Sequence, residues 1–174
     1  MPYIEDESKV KRPTDFTKLE DGDVIILQSK VYSIPTHFLA TEKRSVYCIG
    51  DGCYFCGKDM KARDEYFYYG LVNGEKGIMR VPATVLYSIA GQEKLIKKNP
   101  KTKDLDKRDF EWIIGKTGSG LDTEYTVMKN DKITRISDDQ MEKNKTVLIT
   151  ILTKYENMLK EKAMEIVAQD KEVE

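Results

Sequence analysis

The only histidine and all three cysteines of this 174-residue chain fall in one short stretch, His37-x10-Cys48-x4-Cys53-x2-Cys56. Three thiols cannot pair evenly into disulfides, whereas three thiols and one imidazole complete a tetrahedral set of metal ligands. The two-residue spacing of Cys53 and Cys56 lets both sulfurs point at one ion. Gly57 just after them, with Gly50 and Gly52 around Cys48, allows tight bends at either side. Soft thiolates with one imidazole select Zn²⁺, so a single structural Zn²⁺ held by His37, Cys48, Cys53 and Cys56 is expected. A catalytic zinc keeps an open position and a general base nearby. Zinc deaminases carry His-x-Glu for that purpose, but Phe38 and Leu39 follow His37 here, which predicts a chain that is not an enzyme.

Apolar residues make up 40% of the chain, enough for a packed core. No apolar run approaches the roughly 20 residues that span a bilayer, so no membrane partner is expected. Residues 1–18 are charged and lack an apolar signal core, which predicts a cytoplasmic protein. The charge is close to balance, with 29 Lys and Arg against 30 Asp and Glu. It is unevenly placed, however: residues 138–174 hold 6 Lys against 9 Asp and Glu, which leaves the body mildly basic. Such a division suits a polyanion-binding surface with an acidic end that competes for it, and it equally suits a solvated charged helix.

Along the chain, residues 1–20 form a charged arm with a basic cluster at Lys9, Lys11 and Arg12. Turn residues at 19–23 lead into strands at 24–27 and 31–34, and the metal segment occupies residues 35–60. The aromatic run 66–72 reads as a strand. Asn73-Gly74 is a hairpin signal, and 78–81 is the returning strand. Pro82 opens a helix through Ile96. Residues 97–108 are a Lys-rich loop, and strands follow at 110–114 and through 125–128. Ser137 and Gln140 match a capping box for a long helix whose apolar stripe is Leu148, Ile151, Leu152, Tyr155, Met158 and Leu159. Residues 146–152 could alternatively be a strand. The fold class is therefore mainly β with α. The strand count fits an OB-fold-like small barrel over residues 21–136, with an inserted zinc subdomain and the helix of 137–174 appended.

Aromatic and cationic residues interleave through the middle of the chain. Single-strand binders need this mixture, because bases stack on ring faces while cations follow the phosphates. The phosphate candidates are Arg44, Lys61, Arg63, Arg80 and Lys116, and the stacking candidates are Tyr66, Tyr68, Trp112 and Tyr125. Tyr66 and Tyr68 share one strand face and Phe67 and Tyr69 the other, so one pair is expected in the core and the other exposed. Gly118-Ser119-Gly120 lacks the ending of a P-loop and reads as a hairpin turn.

The run Lys116-Thr117-Gly118-Ser119-Gly120-Leu121-Asp122-Thr123-Glu124-Tyr125-Thr126-Val127 resembles a stretch of tailed-phage single-stranded DNA-binding proteins of the helix-destabilising type. The order of His37, Cys48, Cys53 and Cys56 is similar to the ligand order of that family. The resemblance covers roughly residues 21–128. It implies an OB fold with a zinc subdomain beside a DNA cleft, and single-stranded DNA as the partner in replication, recombination or repair. It also implies a viral or mobile-element source, and an acidic C-terminus that contacts replication or recombination proteins. Lys9, Lys11, Arg12 and Thr14 are similar to the segment that family uses for self-association. Two rival readings stand beside it: a zinc-stabilised adaptor that assembles through its C-terminal helix, and a single-stranded RNA binder.

Overall fold

The computed structural model describes residues 16–133 and 135–173. The basic cluster at Lys9, Lys11 and Arg12, with Thr14, lies outside the described residues. The strands are Thr17–Lys18 (β1), Val24–Leu27 (β2), Tyr32–Leu39 (β3), Arg44–Tyr47 (β4), Arg63–Val72 (β5), Glu75–Val81 (β6), Phe110–Thr117 (β7) and Glu124–Ile133 (β8). The helices are Tyr54–Gly57 (α1), Ala83–Lys98 (α2) and Asp138–Val173 (α3).

The sheet runs β1-β6-β5-β2-β7-β8, and β3 pairs with both β5 and β4. All pairs are antiparallel except β1 with β6. One edge of β5 belongs to β6 from Tyr66 to Val72. The other is shared, with residues 63–67 against β3 and 70–72 against β2. β2 and β3 are thus two halves of one bent strand. At the bend the Gln28 N–H donates to the Tyr69 carbonyl at 2.9 Å, and the Tyr69 N–H donates to Ser29 Oγ at 2.9 Å. Gly70 is required there, because a Cβ would run into the Ile26 carbonyl oxygen. A helix separates the third and fourth long strands, and β7 returns to pair with β2. This is an OB-like order, curled into a half-barrel.

Both faces of this sheet are covered. Tyr68, Met79, Trp112 and Ile114 face inward, where Val85, Ile89 and Ile96 of α2 close the core. Phe67, Tyr69 and Ile78 face outward, under Leu148, Ile151, Leu152, Tyr155 and Leu159 of α3. The division of residues 66–69 into a core pair and an exposed pair is therefore corrected: Phe67, Tyr68 and Tyr69 are all buried, because α3 covers the second face. Of residues 16–20, read as the end of the arm, Thr17 and Lys18 join the sheet beside β6. Phe16 packs on Phe67 at 4.9 Å between ring centroids, and Leu19 is buried in the inner core.

The long helix begins as its sequence predicts, with Ser137 Oγ accepting the Gln140 N–H at 3.2 Å. The Gln140 side chain also donates to Asn144 Oδ1 at 2.8 Å. Asn144, itself buried, donates to the Gln28 carbonyl at 2.8 Å and so ties the helix to the strand bend. Residues 146–152 are helical. None of the helices among the described residues is long and apolar enough to cross a membrane.

Candidate metal centre and the groove beside the barrel

The outer half of β3 overhangs the barrel and pairs with β4, placing His37 opposite Val46. The chain then crosses back, with the Cys48 N–H donating to the Pro35 carbonyl at 3.0 Å. Gly50 and Gly52 adopt φ of 79° and 77°, a region that favours glycine, and the turn closes as the Cys53 N–H donates to the Gly50 carbonyl. Cys53 stands just before the single turn of α1, and Cys56 lies within it. The reversal after this turn falls at Asp59, with φ of 59°, rather than at Gly57.

These bends bring the four side chains together. The ligand atoms of His37, Cys48, Cys53 and Cys56 all lie within 4.8 Å of one another. Sγ of Cys48 and Cys56 are 3.6 Å apart, and His37 Nε2 lies 3.5 Å from Cys53 Sγ and 3.4 Å from Cys56 Sγ. His37 is fully buried and its Nδ1 has no hydrogen-bond partner. Burial opposes ionisation of Cys53, but the backbone N–H groups of Cys56, Ile49 and Phe55 and the His37 ring outweigh it, bringing the thiol down to about 6. Cys56 is pushed up to about 11 by its hydrogen bond to Cys48, by burial and by Cys53. Three adjacent sulfurs cannot all ionise without a cation between them. The cluster can bind a metal ion.

The hairpin is packed from the far side by α3. Cys48, Cys53 and Phe55 share a buried cluster with Ile166, with Ala163 and Val167 against it. Tyr54 donates to Asp170 at 2.8 Å, and Lys58 lies 4.0 Å from the same carboxylate. Between hairpin and helix is an apolar cavity of about 700 Å³, flanked by exposed Ile49 and Met164.

The aromatic and cationic candidates divide into three groups. Tyr66, Arg80 and Tyr125 converge on one groove, with Lys18, Leu19 and Pro82, at the end of α2 nearest β6. Lys116 Nζ lies 5.9 Å from the centre of the Tyr125 ring and 3.3 Å from Glu20. Arg80 is held by Tyr155 at 3.3 Å and Glu65 at 4.0 Å. Lys61 and Arg63 are exposed just before and at the start of β5, and Arg44 lies on the metal hairpin, 3.4 Å from Glu42. Tyr68 and Trp112 are corrected: both are buried in the inner core and offer no face to a base. Trp112 is fixed there by its indole N–H, which donates to the Lys107 carbonyl at 2.9 Å.

Sequence reading missed Tyr87, which is 72% exposed on α2. It acts on Tyr66, whose hydroxyl pKa is raised by burial, then by Asp64 and Tyr87. The available signal was a tyrosine lying off the stripe of Val85 and Ile89.

Fold and site together define an OB-like β protein with a Cys₃His cluster able to hold a metal ion. No protein-family model, curated protein or solved structure matches the chain.

Proposed function

We propose that this chain is a sequence-tolerant single-stranded DNA-binding protein of replication, recombination or repair, with a structural Zn²⁺ in its hairpin. The observation that carries the reading is the convergence of Tyr66, Arg80 and Tyr125 on one groove of an OB-like sheet. Rings for bases and a cation for phosphates, drawn from distant parts of the sequence, are what an unpaired strand requires.

Zinc is favoured by the size of the cluster. Zn–S near 2.3 Å and Zn–N near 2.0–2.1 Å give tetrahedral edges of about 3.8 Å between sulfurs and about 3.5 Å from sulfur to nitrogen. Three of the six separations, 3.6, 3.5 and 3.4 Å, are close to those edges, and all six lie within 4.8 Å. Four protein ligands fill the coordination shell, so the ion's role is to fix the hairpin rather than to activate water. The purified chain should carry one zinc per molecule, and a Cys53→Ser variant substantially less.

The deciding experiment is an anisotropy titration with single-stranded DNA, duplex DNA and single-stranded RNA at two salt concentrations. Single-stranded DNA should bind tightest and weaken steeply with salt, as phosphate contacts release counterions. A preference for duplex, or flat salt dependence, would overturn the reading, and a preference for RNA would replace the substrate.

A second reading, a zinc-stabilised protein-interaction adaptor, is favoured by the apolar cavity between hairpin and α3. It differs in outcome: Ile49→Glu or Met164→Glu would abolish partner capture or self-association and leave oligonucleotide affinity intact.

A further inference from the structure

The strongest concentration of one charge lies far from the groove. Between Lys94 and Lys103 the chain carries Lys94, Lys97, Lys98, Lys101 and Lys103 with no acidic residue, in a protein whose net charge is −1. All five are exposed, and none forms an ion pair among the described residues. Lys97 and Lys98 lie in the last turn of α2, where cations favour the helix dipole. That accounts for two of the five and not for Lys101 or Lys103, which follow the helix.

The patch continues into a recess of about 560 Å³ lined by Lys30, Lys97, Lys107 and Arg108. Its two carboxylates are already engaged. Glu93 accepts the Lys107 N–H at 2.8 Å, and Asp106 holds Arg108 at 2.8 Å with Arg135 at 4.0 Å. Lys30, at the bend between β2 and β3, has no ion-pair partner among the described residues and adds an exposed charge from a second element. Ala83 lines the groove and Lys97 lines the recess. Fourteen residues of helix at about 1.5 Å each separate them by about 21 Å, roughly two and a half times the screening length at physiological salt.

We propose that this recess and the lysines around it form a second phosphate-binding surface, which takes the backbone of a single strand beyond the portion seated in the groove. The inference rests on the single-strand reading above and adds a site to it. Among the described residues no aromatic side chain lines the recess, and the Tyr68 ring near Lys107 is buried, so the surface follows phosphates without reading bases.

The test compares single-stranded DNA of about 5 and about 20 nucleotides, spanning the range of site sizes for one OB fold. The variants are K97Q/K98Q/K101Q, which preserves helix propensity, and K30Q, which lies on another element. The wild-type chain should bind the long strand more tightly and with the steeper salt dependence. The triple variant should keep its affinity for the short strand and lose about tenfold or more for the long one. Its log–log salt slope should become shallower by about 2, since each lost phosphate contact removes about 0.7 on single strands. K30Q should move the same way by a smaller step. Unchanged long-strand affinity and slope in both variants would overturn this surface while leaving the groove intact. Equal losses on short and long strands would also overturn it, by showing one site rather than two. A wild-type chain that binds neither strand would remove the single-strand reading itself, and this surface with it.

Discussion

Tyr155 shows how one residue of α3 is bound into the barrel. Its hydroxyl donates to Glu65 at 3.1 Å and accepts from Arg80 at 3.3 Å, while its ring meets Phe16 edge-on. Burial, reinforced by Glu65 and opposed by Arg80, raises its pKa far above the ordinary value of 10.0. Above that value an unfolded chain releases the phenolic proton that the folded protein keeps. The stabilisation is therefore fully present below pH 10 and is lost as pH rises beyond it. Thermal melts from pH 8 to 11 should show a steep alkaline fall in Tm that is shallower in Tyr155→Phe; equal slopes would place the fall elsewhere. On the proposed single-strand reading the groove tyrosines play a different part. Tyr66→Ala and Tyr125→Ala should each weaken single-strand binding by about 1–3 kcal/mol, read as a rise in Kd of about 5- to 150-fold, with Tm changed little. Trp112 is the contrast: enclosed and bonded to Lys107, it reports unfolding, so its emission should stay constant through an oligonucleotide titration.

Among the elements, those governed by local chemistry were legible. Asn73 and Gly74 take φ of 52° and 83° in the hairpin their sequence predicts, and Pro82 immediately precedes α2. The Cys₃His cluster was legible too, because scarcity of His and Cys leaves one set of four. What stayed hidden depends on distant partners. Alternation in β5 implies one wet face, but α3, more than 70 residues later in the chain, covers it, so an unbroken aromatic run proves to be a strand buried on both sides. Tyr68 and Trp112 could not be told from the groove tyrosines for a related reason: the curl of the sheet and α2 enclose them in the inner core, while Tyr66 and Tyr125 line the groove. The continuity of β2 and β3 was equally invisible, since it rests on Ser29, Gln28 and Asn144 acting across the bend. Leu152 is fully buried at the centre of the helix contact. Leu152→Ala should cost about 2–5 kcal/mol in a denaturant melt, and a smaller loss would mean that α3 is only loosely docked.

At the scale of the molecule, α3 joins two separately built units. Its 36 residues extend for about 54 Å. The stripe from Leu148 to Leu159 lies on the outer sheet face, and the turns around Ala163, Ile166 and Val167 lie on the metal hairpin. The two halves of the helix therefore depend on different things. The barrel half is held by a continuous apolar contact and needs no ion. The distal half is held by Cys48, Cys53 and Phe55, whose positions follow from the hairpin, and by Tyr54 and Lys58 gripping Asp170. On the proposed reading, a structural Zn²⁺ would contribute its binding free energy to the local fold, and its removal would leave a short hairpin with three crowded sulfurs and little core of its own. Chelation should consequently release residues 160–171 while the barrel contact persists. Hydrogen exchange followed by peptide should show protection lost from the hairpin and from residues 160–171, retained at 148–159, and recovered when Zn²⁺ is restored. Loss along the entire helix would mean that the hairpin anchors α3 as a whole. Unaltered protection after complete removal of the ion would mean that side-chain packing alone shapes the hairpin, and that the acidic end of the helix is not under the control of the metal.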